Sequence, residues 1–293
     1  MIRDDIVITG GRAMARSYAK INLTLDVLGK RSDGYHEVKM IMQTLNLFDL
    51  VLVDKIPHGI FISTNLKYLP DNDKNIAYQA AQLFIEKTGI KSGVKIMIHK
   101  NIPVAAGLAG GSGNAAAVLL SMNMLFNTGL SIDELCAIGK ELGADIPYCI
   151  KGGTQLSCGI GEVLTELPAP KPFYVVLVKP MVNISTAEIY TAIDNAQIQT
   201  RPDTEGMIKA ISDNNINEIA DKLCNVMESV TGAMYPIIGG IKNKMLSHGA
   251  LGAVMSGSGP TVFGVFDDYN KAFEAAESFS YQFKDTFLTK TYN

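Results

Sequence analysis

A glycine-rich loop is the feature of this sequence whose residue types come closest to a known chemistry. It consists of Pro103, Val104, Ala105, Ala106, Gly107, Leu108, Ala109, Gly110, Gly111, Ser112 and Gly113. A predicted strand precedes it and an Ala-rich helix follows it. Small residues let backbone N–H groups approach a ligand closely, and the helix N-terminus adds partial positive charge. The loop favours a polyphosphate cradle, and a flexible turn before a tightly packed helix is the alternative.

Two better-known phosphate-binding patterns do not match this loop. No Gly-Lys-Ser or Gly-Lys-Thr follows its glycines, so it is not a Walker A loop. Gly107 and Gly110 also lack the Gly-x-Gly-x-x-Gly spacing of dinucleotide folds, and the strand before them does not begin the chain. If the loop binds phosphates, it belongs to a different class of site.

Lys20 and Asn22 are the second candidate pair. Residues 16–27 alternate apolar and mostly polar side chains, which predicts a strand with one apolar face. Lys20 and Asn22 are two apart and therefore share the other face. The lysine can supply positive charge to a site, or it can be a solvated side chain, and the pattern leaves both open.

Asp145 is the third candidate, in a segment where a helix is predicted to stop. Ser131 begins a capping box, the helix that it opens is expected to end near Gly143, and Pro147 is expected to prevent it from resuming. The carboxylate would then lie in a short, stiff bend. Such an aspartate either bonds its own backbone or acts as a general base, provided that a cation such as Lys20 keeps it ionised.

Phosphoryl transfer needs a phosphate cradle, a positive charge at the transferring group, and a group that orients or deprotonates the attacking hydroxyl. The loop, Lys20 and Asp145 supply one of each. Each is modest alone, and the combination predicts a small-molecule kinase.

Three segments resemble, in the same order, those of the galactokinase, homoserine kinase, mevalonate kinase and phosphomevalonate kinase superfamily. They are Ala19–Leu23, Pro103–Ala116 and Ser256–Thr261. The similarity covers nearly the whole chain beyond Ala15. It implies an α+β fold, with a ribosomal-protein-like N-domain joined to a ferredoxin-like C-domain and the active site in the cleft between them. It also implies ATP as co-substrate, accompanied by Mg²⁺.

The same resemblance implies a role for each candidate residue. Asp145 matches the superfamily's catalytic base, which takes the proton of the acceptor hydroxyl. Lys20 matches its catalytic lysine, and residues 103–113 match its ATP phosphate loop. The turn at Ser256–Pro260 would pack the C-domain against that loop.

Four segments are more specifically similar to a branch whose acceptor alcohol carries a cytidine diphosphate group. They are Lys20–Leu23, Arg31–Glu37, Gly107–Ser112 and Gly143–Tyr148. This similarity implies phosphorylation of the 2-hydroxyl of a methylerythritol derivative in the non-mevalonate route to isoprenoid precursors.

The substrate-binding residues are likewise implied by this closer similarity. Tyr35 and His36 match residues that hold cytosine by stacking and by hydrogen bonds to its edge, and Asn22 would help to hold the methylerythritol end. Thr186 and Tyr190 match a second wall of the cytidine site. From the residues alone, Tyr35 and His36 could equally form the far side of a hairpin turn after Asp-Gly.

One position departs from the superfamily's pattern. Its loop usually reads Gly-Gly-Ser-Ser before Asn or Asp, and here the second serine is Gly113. A missing hydroxyl can remove a contact to a phosphate or to Mg²⁺. Gly113 still offers its backbone N–H, so we expect an altered site rather than an inactive one.

Two other functions compete with this prediction. A kinase of the same superfamily could act on another alcohol, such as mevalonate or homoserine, but such an acceptor has no base and needs no aromatic wall. A ligand sensor on the same fold would have no chemical need for both Lys20 and Asp145.

The periodicity of the chain predicts the elements that must position these residues. Strands are expected at 16–27, 51–53, 94–99, 173–178 and 261–266, and helices at 74–88, 114–126, 131–143, 186–194, 204–212, 215–228, 235–248 and 269–280. Leu167–Pro172 contains three prolines and is the predicted linker. We therefore predict an N-terminal ATP-binding domain at 1–166, with 1–13 as a possible extension, and a C-terminal domain at 167–293.

Composition excludes several other classes of protein. The 293 residues carry a formal net charge of −3, which argues against a nucleic-acid binder. The four cysteines show no metal-ligand spacing, so no metal site is predicted. No signal peptide or membrane span is expected. We therefore expect a cytoplasmic enzyme, as a monomer or homodimer, with a small-molecule substrate and neither nucleic acid nor membrane as partner.

Overall fold

The structure is a computed structural model that describes residues 5–292. Its strands are β1 Ile6–Thr9, β2 Arg12–Lys30, β3 His36–Ile56, β4 Ile60–Thr64, β5 Gly93–His99, β6 Thr154–Cys158, β7 Val163–Glu166, β8 Tyr174–Lys179, β9 Cys224–Asn225, β10 Gly252–Met255, β11 Val262–Phe266 and β12 Asp285–Lys290. Its helices are α1 Ile76–Thr88, α2 Gly110–Phe126, α3 Ile132–Lys140, α4 Ile146–Lys151, α5 Thr186–Asp194, α6 Thr204–Ser212, α7 Ile216–Asp221, α8 Met227–Met234, α9 Ile237–Ser247 and α10 Tyr269–Ser280.

The chain forms two compact units that alternate along the sequence. The first unit contains the chain up to Ala19, Leu47–Val104 and Ala109–Lys151. The second contains Lys20–Asn46, Ala105–Leu108 and the chain from Gly152 onward. The long strands β2 and β3 contribute residues to both units, so a division into two domains at residue 167 stays a prediction.

The first unit packs helices against a strongly apolar sheet. β5 pairs antiparallel with β3 and parallel with β4, and β1 pairs antiparallel with the start of β2. Alternate residues of β5, including Val94, Ile96 and Ile98, are buried in one core with Phe84 of α1 and residues of α2. The helix α2 is apolar on all sides, as expected for a helix inside a core.

The second unit contains a four-stranded antiparallel sheet in the order β10-β11-β8-β12. Val175–Val178 of β8 is a buried apolar run because strands flank it on both sides. Helices α9 and α10 contact the strands of this sheet. The same unit contains the later part of β2, which pairs with β9, and the first part of β3, which pairs with β6.

Several helices have the bounds that the sequence predicts. The helices α5, α6 and α10 agree with the predicted ranges, and α1 ends where Gly89 takes the left-handed conformation, at φ 69°. Ser131 and Glu134 form the predicted capping box of α3. Local capping and periodicity are sufficient for these helices because their signals lie within a few residues.

Other elements differ from the prediction. The short strand predicted at 51–53 is the end of the 21-residue β3. Residues 215–228 do not form one helix; they contain α7, the two-residue strand β9 and the start of α8. The sequence did not predict β12, whose residues pair with β8. Within the possible extension predicted at 1–13, β1 is hydrogen-bonded to β2, residues 1–4 lie outside the described part, and the extension itself stays a prediction.

Pro147 was expected to prevent a helix from resuming after Gly143, but it lies near the start of a new helix. It is the second residue of α4, and the carbonyl of Asp145 accepts the N–H of Cys149 at 3.0 Å. A proline fits the first helical turn because its missing N–H has no partner there in any case. The bend before α4 is therefore only a few residues long.

No helix among residues 5–292 is long and apolar enough to cross a membrane. None of the four cysteines, all of them among the described residues, is in a disulfide, and each is half-buried.

Candidate active site

The glycine-rich loop has an unusual backbone. Ala105, Gly107 and Ala109 all lie in the left-handed region, with φ of 51°, 70° and 55°. Such values are strained for alanine, because its Cβ crowds the backbone. Strained residues of this kind concentrate at ligand sites, where the surrounding structure supports them. Left-handed residues that alternate with right-handed ones are typical of backbone segments whose N–H groups form a concavity suited to anions.

The loop ends at an uncapped helix. Ala109 is the N-cap of α2 and offers no side-chain acceptor to the first turn. The first backbone N–H groups of a helix have no partner within the helix. With the helix dipole, those of Gly110, Gly111 and Ser112 form a donor set suited to phosphate oxygens.

Gly107 lies against the turn that begins at Ser256. The Ser256 hydroxyl donates to the Gly107 carbonyl at 3.0 Å, and a Cβ on Gly107 would lie 2.2 Å from the Ser256 carbonyl oxygen. No side chain fits there, and the left-handed φ also favours glycine. Two backbone segments of the second unit therefore approach each other closely at this point.

Lys20 and Asn22 are buried beside the same two segments. The Lys20 ammonium donates to Asn22 Oδ1 at 2.7 Å, and the Gly257 N–H donates to the same oxygen at 3.0 Å. The Lys20 backbone N–H donates to the Leu108 carbonyl at 3.2 Å. The structure thus brings together Lys20 and Asn22 of β2, Leu108 of the loop and the Ser256–Pro260 turn.

Lys20 is only 4% exposed, so it is not a solvated side chain. Within the second unit, as far as the chain is described, its one polar side-chain partner is the neutral amide of Asn22. Burying an ammonium is costly unless an anion compensates for the lost hydration. Such a lysine is poised to receive a carboxylate or a phosphate group.

Asp145 belongs to the first unit and is half-buried just before α4. Its side chain makes no hydrogen bond or ion pair with other residues of that unit in the described range. The alternative in which the carboxylate bonds its own turn is therefore not what the described residues show.

The predicted cytidine residues are brought together in part. The rings of His36 and Tyr190 stack at 4.5 Å between centroids and 20° between planes. His36 Nε2 lies 2.7 Å from Asp194 Oδ1. The hydrogen bond from His36 and the charge of Lys30 lower the pKa of Asp194. An ionised carboxylate can only accept, so His36 Nε2 donates the proton of this hydrogen bond.

Tyr35 and Thr186 have different surroundings. Tyr35 is 60% exposed, at the turn before β3. Thr186 is the first residue of α5, and its hydroxyl lies 2.8 Å from that of Ser258. Thr186 is therefore next to the Ser256–Pro260 turn, and not part of the His36–Tyr190 stack.

Two residues that the sequence analysis missed support these side chains. Asp194 orients His36, and its position four residues after Tyr190 on α5 was a usable signal, since such residues share a helix face. Asn225 donates to the carbonyls of Met255 and Gly257, both at 2.8 Å, and so holds the turn. No local pattern singles out Asn225, because its partners are distant in sequence.

Comparison with known proteins places the chain in a family. The profile of the GHMP kinases N terminal domain matches residues 75–153, and that of the GHMP kinases C terminal domain matches residues 207–285. A protein of Caldicellulosiruptor saccharolyticus is 50% identical over 94% of this chain and 96% of its own. The chain belongs to the GHMP kinase family.

Other relatives of this GHMP kinase are equally similar. A protein of Clostridium botulinum is 51% identical, over 94% of this chain and 99% of its own. Both relatives are named 4-diphosphocytidyl-2-C-methyl-D-erythritol kinase. A crystal structure of 4-(cytidine 5'-diphospho)-2C-methyl-D-erythritol kinase superposes with a TM-score of 0.83 and 29% identity, over 96% of this chain and 99% of that one. The two-domain GHMP fold predicted from the sequence is thus confirmed.

Proposed function

We infer that this GHMP kinase transfers the γ-phosphoryl group of ATP to the 2-hydroxyl of 4-diphosphocytidyl-2-C-methyl-D-erythritol. The observation that carries the inference is the buried, uncompensated Lys20 beside the glycine-rich loop. Relatives that bear the name of this activity, at about half identity over nearly the full chain, support the choice of acceptor. Enzymes named mevalonate kinase or homoserine kinase are similar in fold only, at 13% and 18% identity.

We propose the following chemistry. The acceptor oxygen attacks the γ-phosphorus, its O–H bond breaks, and the bond between the γ-phosphorus and the bridging oxygen of ADP breaks on the opposite side. Asp145 takes the proton. Lys20 polarises the attacking hydroxyl and neutralises charge that develops on the phosphoryl group. A positive charge that the fold fixes at that point stabilises the transition state more than a solvated cation would, because it needs no reorganisation during the reaction.

Residues 103–113 would hold the triphosphate of ATP. The uncapped N–H groups of α2 and the left-handed residues of the loop support this assignment. Backbone donors suit this task because they are already fixed before the ligand arrives.

Mg²⁺ would enter with ATP and neutralise phosphate charge. The described residues contain no group of three or more His, Cys, Asp or Glu side chains suited to a metal ion. That composition fits an ion held mainly by phosphate oxygens and water, as Mg²⁺ commonly is. The half-buried hydroxyl of Ser112, in the first turn of α2, is an oxygen donor of the kind that it accepts.

His36 would recognise the cytosine ring through Nδ1, with Tyr35, Thr186 and Tyr190 around the cytidine. At the observed separation no planar base fits between His36 and Tyr190. The base would therefore stack on an outer face of this pair, or Tyr190 would turn away to admit it. Asn22 would hold the methylerythritol end.

The finer description of the fold is also a proposal. We propose a ribosomal-protein-like N-terminal domain at 1–166 and a ferredoxin-like C-terminal domain at 167–293. The four-stranded antiparallel sheet with α9 and α10 supports the second assignment. A cytoplasmic location and a monomeric or homodimeric state remain predictions from the sequence.

The test is ADP release with ATP and Mg²⁺, run separately with 4-diphosphocytidyl-2-C-methyl-D-erythritol, mevalonate and homoserine, with the phosphorylated position assigned by ³¹P NMR. Turnover with the cytidine compound alone is expected. Turnover with another acceptor would retain the kinase and refute the cytidine assignment, and no turnover with any of the three would refute the proposed reaction.

Two variants test the residue assignments. Asp145→Asn should abolish turnover and leave ATP binding nearly intact, whereas Asp133→Asn, at an aspartate whose side chain is 87% exposed, should change neither. His36→Ala should raise the KM for the cytidine substrate and not that for ATP, with the exposed His58→Ala as control. A near-normal rate for Asp145→Asn would exclude it as the base.

A further inference from the structure

A buried ion pair lies behind the start of α2, in the first unit. The side chains of Asp49, on β3, and Lys100, just after β5, are 0% and 4% exposed, and Lys100 Nζ contacts Asp49 Oδ2. Lys100 Nζ also donates to Asn114 Oδ1 at 3.0 Å, and Asn114 Nδ2 donates to Asp49 Oδ2 at 2.8 Å. Each of these three side chains is thus bonded to the other two. None of them belongs to the phosphoryl-transfer chemistry described above.

The cluster holds both ends of the glycine-rich loop. The other oxygen of Asp49 accepts the backbone N–H groups of Asn101 and Ile102, both at 2.8 Å. Ile102 immediately precedes the loop, and Asn114 immediately follows it, at the start of the second turn of α2. A single carboxylate therefore ties the residue before Pro103 to the residue after Gly113.

Close packing adds to this restraint. A Cβ on Gly110 would lie 3.1 Å from Lys100 Nζ and 3.1 Å from a methyl group of Ile102. The ammonium group thus packs directly against the first residue of α2. A side chain at position 110 would push the helix start away from the cluster.

The energetics indicate why such a cluster would be kept. Two charges in the core lose much of their hydration, so apolar residues of similar size in their place are often as stabilising as the ion pair. The loop, however, contains alanines in the left-handed region, and such strained conformations persist only where the surroundings impose them. A closed, fully bonded polar network restrains geometry more than apolar packing does.

We propose that Asp49, Lys100 and Asn114 are positioning residues that hold the phosphate loop in its ATP-binding conformation. The proposal rests on the proposed kinase function for its consequence in catalysis. Its structural part, that the cluster restrains residues 103–113, does not need turnover to be measured.

The main variant is Asn114→Leu, which is similar in size and separates α2 from the ion pair without removing a charge. Its matched control is Asn123→Leu in the same helix, where the amide donates to the Leu130 carbonyl at 2.8 Å, at the other end of α2. A second test variant, Asp49→Asn with Lys100→Met, removes both charges together and leaves no uncompensated ion in the core.

Hydrogen exchange of the wild-type protein and the three variants is the first measurement. Loss of the three side-chain hydrogen bonds of Asn114, to Lys100, Asp49 and Ser17, should raise exchange within residues 103–113 by about ten-fold or more in Asn114→Leu. The double variant should show the same direction, and Asn123→Leu should not change exchange in the loop. Unchanged loop exchange in both test variants would refute the proposal, whether or not the protein is a kinase.

Steady-state kinetics supply the second readout. The KM for ATP should rise in the two test variants, while the KM for the acceptor stays near the wild-type value. A purely structural role would lower the unfolding midpoint and leave both KM values unchanged, and that result would also overturn the proposal. An inactive wild-type protein with a loosened loop in Asn114→Leu would instead contradict the proposed function alone.

Discussion

The packing around Gly113 leads to a testable prediction, because Ser17 occupies the space that a side chain at position 113 would need. A Cβ on Gly113 would lie 2.6 Å from Ser17 Oγ and 3.4 Å from the Tyr18 carbonyl oxygen. Ser17 is buried, and its Oγ accepts Asn114 Nδ2 at 3.1 Å. Ser17 cannot turn away without breaking that hydrogen bond. The serine usual in the superfamily at this position is therefore incompatible with Ser17 in its present rotamer.

The magnitude follows from two opposing effects. Gly113→Ala should lose about 1–3 kcal/mol through overpacking and the broken hydrogen bond. It should gain up to about 1 kcal/mol because alanine favours a helix interior more than glycine does. We expect a net destabilisation of about 1–2 kcal/mol in the wild-type background. In a Ser17→Ala background the remaining Cβ of residue 17 lies 3.9 Å away, which is ordinary contact. There the same Gly113→Ala change should stabilise by about 0.5–1 kcal/mol.

Urea unfolding of the wild-type protein, both single variants and the double variant measures these effects as a double-mutant cycle. The sign of the Gly113→Ala effect should reverse between the two backgrounds. Gly111→Ala is the control, since the nearest atom to its Cβ would be 3.7 Å away and no clash arises in either background. Equal destabilisation by Gly113→Ala in both backgrounds would refute the reasoning.

Three further outcomes are expected. Lys20→Ala should lower kcat by about 10²–10³-fold, because it removes the fixed positive charge, and an unchanged kcat would exclude a catalytic role. The hydrogen bond from Arg12 lowers the pKa of Asp54 in the folded protein. The stabilisation that the ionised Asp54 gives the folded protein is therefore present above the pKa of Asp54 in the unfolded state, and it is lost as the pH falls through its lower pKa in the folded state. The difference in free energy of unfolding between wild type and Asp54→Asn, measured with urea and under about 1 kcal/mol for so exposed a pair, should shrink from about pH 5 to pH 3, and a constant difference would contradict this. Burial raises the pKa of the Cys224 thiol. Its alkylation by iodoacetamide should therefore need a higher pH than that of a free cysteine peptide, and equal pH profiles would refute the shift.

The sequence predicted well where the signal is short in range. Capping boxes, helix-ending glycines and two-residue alternation are set by neighbours within a few positions, so α1, α3 and the predicted part of β2 could be read directly. The motifs around Lys20 and the glycine-rich loop likewise carry the resemblance to the family in residue type and spacing.

The errors have two causes: one local position was misjudged, and elsewhere contacts between distant segments override the local preference. Pro147 was expected to exclude a helix, but its place in the first turn of α4 makes it compatible with one. The segment 215–228 reads as one amphipathic stretch, yet Cys224 and Asn225 pair with Thr24 and Leu25 of β2. The pairing of Cys224 and Asn225 with Thr24 and Leu25 cannot be inferred from the local pattern.

The sequence by itself determined the family and the kind of chemistry, because these reside in residue types at fixed spacing, and it predicted the phosphate loop on the same basis. The tertiary structure decided which of these residues are buried and what holds them. The hydrogen bonds that Asn22 accepts from Lys20 and Gly257, and the closed cluster of Asp49, Lys100 and Asn114, join segments far apart in the chain. No local pattern encodes such partners, since the free energy of a buried charge depends on every group that the fold brings around it.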